Sequence, residues 1–462
     1  MSLSPKKFYD IHFHAMDLSH ANITAFTDRF INNPDAIKKI LDGDFPWWKK
    51  SLYSLLGPLL PVAGPFVSNR FLARKITGQL AKLKNVRNLL SFMETSVMYD
   101  FLIIEHFLKN DHADENKNVD ERKIVNADNS FTVDGYTYNK IVLCPLVMDF
   151  GYPNLRNKDV YYNIPPQKPV VSQICDLYEA IYTYFKKELT IKNENDIIKF
   201  EVRDTSQGKG EKLFEIYPFM GINTANYTLE KIERMLEKYF ADFRKNDSPE
   251  QRYQRLYDAM GEFDGRTVQD AQFRNIFAGI KLYPPLGFNP WPEESAVEMK
   301  KVETLYSYCA ERNIPIITHC STGGFVASPE HTKFTNPGGQ WAKVLADPRF
   351  KKLKIDFAHM GVNDPGWTDT IFKMALNSEM NVFTDISSIC DSPDYYAELK
   401  EVIGAYPTGA NNKVLYGSDF MINLLNVRSY NQYMKYFTDT SQLSPVQKHL
   451  FANANPEKFL FG

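Results

Sequence analysis

The feature that most constrains this chain is a repeated change of segment type. From about residue 140 onward, short β-branched or apolar runs alternate with longer amphipathic stretches. YNKIVLCPLVMDFG (138 to 151) reads as a strand and VSQICDLYEAIYTYFKKEL as the helix after it, with apolar residues three and four apart. KLFEIYPFMGIN (212 to 223) is the next strand, and NYTLEKIERMLEKYFADFRK the next helix, with Thr228 as its N-cap. Five further strands follow: NIFAGIKLYPP, NIPIITHCSTGG, FKKLKIDFAHMG, NVFTDISS and NKVLYGSDF, with helical sequence between them. Together with FYDIHFH near the start they make eight β/α units, the count of a (β/α)₈ TIM barrel in the α/β class.

Residues 18–137, between the first two strands, are too long for one crossover. FLARKITGQLAKLKNVRNLLSFMETSVMYDFLIIEHFLK within them reads as two or more long helices, so a large helical insertion is expected to grow from the C-terminal face of a single domain spanning 1–462. NSFTVDGYTYN (129 to 139) predicts a β-hairpin around Asp134-Gly135. The polar stretch 192–212 predicts an exposed excursion with a short strand of its own.

Charge excludes some partners. Lys plus Arg number 54 against 56 Asp plus Glu, which gives no electrostatic footprint for nucleic acid. FPWWKKSLYSLLGPLLPVAGPFV (45 to 67) is the most apolar stretch, but it carries Lys49 and Lys50 and is broken by Gly57, Pro58, Pro61, Gly64 and Pro65, so no membrane span is expected. Its adjacent tryptophans fit a homodimer interface as well as packing on the barrel's own helices. Five cysteines without C-x-x-C spacing argue against a disulfide framework, and the first strand starts too early for a signal peptide; both predict a cytoplasmic protein.

The polar residues that end the strands carry the chemistry. His12 and His14 close the first strand, one residue apart and therefore on one face. Lys281 closes AGIKLYP, His319 PIITH, His359 IDFAH and Asp419 LYGSD. Every strand of a barrel opens its C-terminal end on the same rim, so these six residues are expected to meet. The other histidines, His20, His106, His112, His331 and His449, lie in helical or loop sequence, and only His331 is expected near the rim. Imidazoles with one carboxylate suit zinc or another borderline divalent ion, which lowers the pKa of a bound water towards about 7. An aspartate beside that water can take its proton and return it to a leaving group, and a histidine outside the ligand set can polarise a carbonyl.

On these motifs, DIHFH, GIKLYPP, ITHCS, FAHMG, VFTDIS and VLYGSDF, with the ending NANPEKFLFG, the chain resembles the amidohydrolase superfamily. The resemblance is to the branch containing aminocarboxymuconate semialdehyde decarboxylase and related hydrolases. It covers the first strand and roughly residues 275–462. It implies a metal held by His12, His14, His319 and Asp419, with His359 and Asp419 catalytic and Lys281 positioning an acidic substrate. One ion is expected; two would follow if Lys281 is carbamylated and bridges to His319 and His359. The implied reaction is hydrolysis of a C–N or C–O bond of a small carbonyl substrate. The alternatives are nonoxidative decarboxylation of an unsaturated or aromatic acid, with Arg70, Arg74 and Arg87 as carboxylate-binding candidates, and a catalytically silent binding barrel.

Overall fold

The computed structural model describes residues 6–20, 89, 91–114, 119–150, 168–194, 197–270, 276–362, 364–406 and 409–462. Eight parallel strand positions form a ring: β1 (Lys7–Phe13), β2 (Lys140–Pro145), β3 (Phe214–Ile216 and Phe219–Gly221), β4 (Gly279–Leu282), β5 (Ile316–Thr318), β6 (Lys354–Phe357), β7 (Asn381–Asp385) and β8 (Val414–Leu415). β3 is in two pieces because Pro218 has no N–H to donate to a ladder. The first piece pairs with β2, the second with β4, and a parallel bridge between Leu146 and Phe219 joins the halves. The ring closes where Ile11 N donates to Tyr416 O at 3.1 Å and Phe13 bridges Phe420. Closure leaves no exposed sheet edge on the barrel.

Helices Leu229–Phe240, Ala296–Arg312, Gln340–Ala346, Pro365–Ala375, Tyr395–Gly404 and Tyr430–Asp439 follow the strands β3 to β8 in turn, as the alternating sequence requires. The first starts at Thr228, whose hydroxyl accepts from Lys231 N at 3.4 Å. The helix after β2 is shorter than its sequence pattern. It ends at Lys186, and Lys187–Glu194 and Ile197–Asp204 form an antiparallel hairpin that begins inside the run read as helix. β-Branched Thr190, Ile191 and Val202 suit strands, and cross-strand pairing overrides the helical period.

Of the segment 18–137, the described part includes the helix Asp100–Lys109, the short 3-10 turn Val97–Tyr99 before it and two short hairpins. One hairpin turns at Asp134-Gly135 with φ of 46° and 87°, the two positive values of a type I′ turn. Residues 45–67 and Arg70, Arg74 and Arg87 lie outside the described residues. No helix among the described residues is long and apolar enough to cross a membrane.

Candidate metal centre

The first strand does not keep simple alternation up to its histidines. Asp10 pairs with Leu143 and Phe13 with Pro145, so β1 carries three steps against two in β2, a bulge. Asp10 accordingly turns away, accepting from Ser418 N at 2.9 Å and Tyr430 OH at 3.0 Å. His12 lies within the bulge and His14 beyond it, and they share a target: their Nε2 atoms are 3.5 and 3.2 Å from Asp419 Oδ1. Gly417 makes this approach feasible, because a Cβ there would come within 2.6 Å of His12 Cβ.

Each of the four rings is anchored through one nitrogen by a group that can only accept. His12 Nδ1 faces Asp385 Oδ2 at 2.8 Å, and His14 Nδ1 faces Leu146 O at 3.0 Å. His359 Nδ1 faces Ser387 O at 3.0 Å, and His319 Nε2 faces Gly323 O at 3.1 Å. A carbonyl or an ionised carboxylate has no proton to give, so the ring nitrogen donates. In a singly protonated ring the other nitrogen is then bare: Nε2 of His12, His14 and His359, and Nδ1 of His319. His319 Nδ1 and His359 Nε2 lie 3.1 Å apart, where two lone pairs repel unless a proton or a cation sits with them.

Electrostatics keeps the imidazoles available. Burial, aided by the nearby Lys281 charge, lowers His12 to about 3. Burial and the neighbouring His359 and Lys281 lower His319 strongly. Burial would push Asp419 up, but the close approach of His14 and the surrounding histidines hold it below the usual carboxylate range. Asp385 follows the same pattern, with His12 as its main stabilising neighbour. Lys281 is lowered to about 8 by burial, against the opposing pull of Asp385, Asp419 and Asp356, and its Nζ is 3.3 Å from His12 Nε2.

All six sequence-derived residues therefore lie in one buried cluster. Their ligand atoms are not equidistant. His12, His14 and Asp419 present donor atoms within 4.8 Å of one another, a grouping that could hold a metal ion. His319 falls outside that trio and meets His359. The donor set fits a borderline divalent ion, since bare imidazole nitrogens and an ionised carboxylate converge, with the Lys281 ammonium as the one proton donor that faces His12 Nε2. His331, in the loop after His319, stacks against Phe334 at 6.0 Å between ring centroids.

Sequence reasoning missed Asp385 and Ser387. Asp385 ends β7, the placement that singled out Asp419, and it orients His12 and also accepts from His359 N at 2.9 Å. Ser387 Oγ donates to Asp385 Oδ1 and lies 3.0 and 2.9 Å from the Nδ1 atoms of His12 and His359. His20, which follows no strand, lines a small cavity with room for about one water, together with Ala15, Met16, Leu146, Phe150 and Gln173. Non-glycine residues in the left-handed region, His359 (φ 62°), Ser388 (φ 63°) and Asp419 (φ 58°), cluster where β6, β7 and β8 end. Such conformations cost about 1–3 kcal/mol each and collect at functional sites.

The amidohydrolase family model matches residues 228–462, half of the chain, and the protein belongs to that family. No curated protein matches it. Among solved structures it is similar to one described as a probable 2-pyrone-4,6-dicarboxylic acid hydrolase from Acinetobacter baumannii (14% identity, 54% of this chain, 83% of that one, TM-score 0.31). It is also similar to a 2,6-dihydroxybenzoate decarboxylase (12%, 54% and 71%, TM-score 0.30). A third is an amidohydrolase from Mycobacterium avium subsp. paratuberculosis (10%, 70% and 99%, TM-score 0.29).

Proposed function

We propose that the protein is a metal-dependent hydrolase acting on a C–N or C–O bond of a small carbonyl substrate. The convergence of His12 Nε2 and His14 Nε2 on Asp419 Oδ1, with both outer nitrogens anchored, carries this reading. His12, His14 and Asp419 would hold the ion, with His319 supplying the fourth donor from the end of β5 across the ring. Bound there, a divalent ion such as zinc supplies Lewis-acid activation of water and of a carbonyl.

The chain's own groups supply the rest. Asp419, kept ionised, accepts a proton from the attacking water and hands it to the leaving nitrogen or oxygen. His359, fixed by Ser387, would hydrogen-bond the oxygen on which charge develops once its bare Nε2 has taken up a proton. Lys281, a cation on the floor of the cluster, pairs with an acidic substituent of the substrate. The one-domain organisation over 1–462, with 18–137 as an insertion on the barrel, belongs to the same reading.

One observation favours a second metal arrangement. The bare nitrogens of His319 and His359 form a pair of their own at 3.1 Å, and Lys281 lies against His12. This suits two ions with a carbamylated Lys281 between them. Metal analysis of protein purified without chelator, together with a screen of lactones, amides and cyclic imides, tests both. Metal with hydrolysis of one of these classes is expected; carbon dioxide release without hydrolysis would replace the hydrolase by a decarboxylase. Protein with no affinity for zinc, cobalt or manganese would refute the centre.

A further inference from the structure

The hairpin after helix Val170–Lys186 stands apart from the barrel ring and from the metal centre. Its arms pair over eight residues, from Lys187 opposite Asp204 to Glu194 opposite Ile197, with no bulge. The first arm packs towards the helices Asp100–Lys109 and Val170–Lys186. Among the described residues no third strand pairs with the outer arm, Ile197–Asp204. A two-stranded ribbon is marginal by itself, and the outer edge of a long regular strand is a template for another strand.

The outer arm carries its own complement. Phe200 is 58% and Val202 36% exposed, two of the few large apolar side chains left in solvent on the described surface. Phe200 sits between Lys199 and Glu201. In an antiparallel pairing centred on Phe200, Lys199 lies opposite Glu201 of a second copy, Glu201 opposite its Lys199, and the two Phe200 rings face each other. Opposite charges and aromatic pairs across strands are favourable, like charges are not. Moving the centre to Glu201 sets that carboxylate against itself and Lys199 against Arg203. Centring on Lys199 sets two ammonium groups together. A shift of one residue puts apolar side chains on opposite faces of the joined sheet. Residue pattern thus selects both the occupant and the register.

We propose that Ile197–Asp204 is a homodimer interface, at which two copies join their hairpins into one four-stranded antiparallel sheet. None of its residues belongs to the candidate metal centre, so it stands or falls separately from the hydrolase reading. The test is the mass of the full-length protein by light scattering at tens of micromolar. Wild type is expected at twice the monomer mass, and Phe200→Lys at the monomer mass with unchanged far-UV circular dichroism. Lys199→Glu is expected to weaken the dimer up to about tenfold, from two like-charge pairs, and Lys199→Glu with Glu201→Lys to restore most of that loss. Phe200→Cys faces itself and is expected to give a disulfide-linked dimer on oxidation, whereas Thr190→Cys on the inner arm is not; the five native thiols are buried. A monomeric wild type, or a dimer indifferent to Phe200→Lys and Lys199→Glu, would overturn the proposal.

Discussion

The centre has two corners, and they are built differently. At the first, His12 and His14 come from one strand end and aim their Nε2 atoms at a carboxylate, Asp419, held ionised across the barrel seam. At the second, His319 and His359 come from neighbouring strands and aim opposite ring nitrogens at each other, with no carboxylate between them. The first corner has the charge balance of a cation site. The second has bare donors whose neighbouring carboxylate, Asp385, lies within 4.8 Å of the His12 and His359 nitrogens but is already engaged by His12, Ser387 and the His359 backbone, which suits proton handling.

The most direct way to break this contrast is to remove the first corner. His12→Ala and Asp419→Ala are each expected to lose bound metal, with affinity down by at least about 100-fold, and to abolish turnover. Metal analysis of the purified variants checks this, and full metal content in both would mean that the first corner is not the cation site. A smaller change tests the support behind it. Asp385→Asn keeps the shape but removes the charge that orients His12, and a loss of about 10–100-fold in metal affinity is expected in a chelator competition.

His359→Asn then separates the corners. With one ion, metal content stays at one per chain while turnover falls by about 10²–10⁴, the usual share of a general acid–base group. With two ions, stoichiometry falls from two to one. The smallest effect is on the stability of the metal-free protein. His12 stays neutral in the native state down to about pH 3, whereas an unfolded histidine takes a proton near 6.5. Between these values the unfolded state binds more protons, so stability falls as pH falls. His319 is shifted in the same direction. Each contributes a slope approaching about 1.4 kcal/mol per pH unit. Thermal melts from pH 7 to 5 should show a shallower decline in His12→Asn and in His319→Asn; an unchanged slope in either would mean that its ring is not kept neutral by burial.

Much of the architecture was legible because its signals are local. The alternation of segment types needs only neighbouring residues, and so do Thr228 as an N-cap and the Asp134-Gly135 turn. The six candidate site residues were found by one rule, a polar residue ending an apolar strand, and the structure brings all six together. The same rule applied to VFTD would have found Asp385, which went unused because an aspartate alone after a strand has many roles. Ser387 gave no signal of its own. Its importance comes from standing between Asp385 and two rings donated by strands far apart in the chain.

By itself the sequence determined the kind of barrel and which residues reach its rim, because hydrophobic period and strand-end position are written residue by residue. Tertiary structure decided how those residues divide. The bulge in β1, the tautomer forced on each imidazole by a carbonyl or carboxylate from elsewhere, and the separation of His319 from the His12, His14 and Asp419 trio depend on where backbone atoms distant in sequence come to lie. Hydrogen-bond direction is a property of pairs, and only the closed ring of strands brings those pairs into contact.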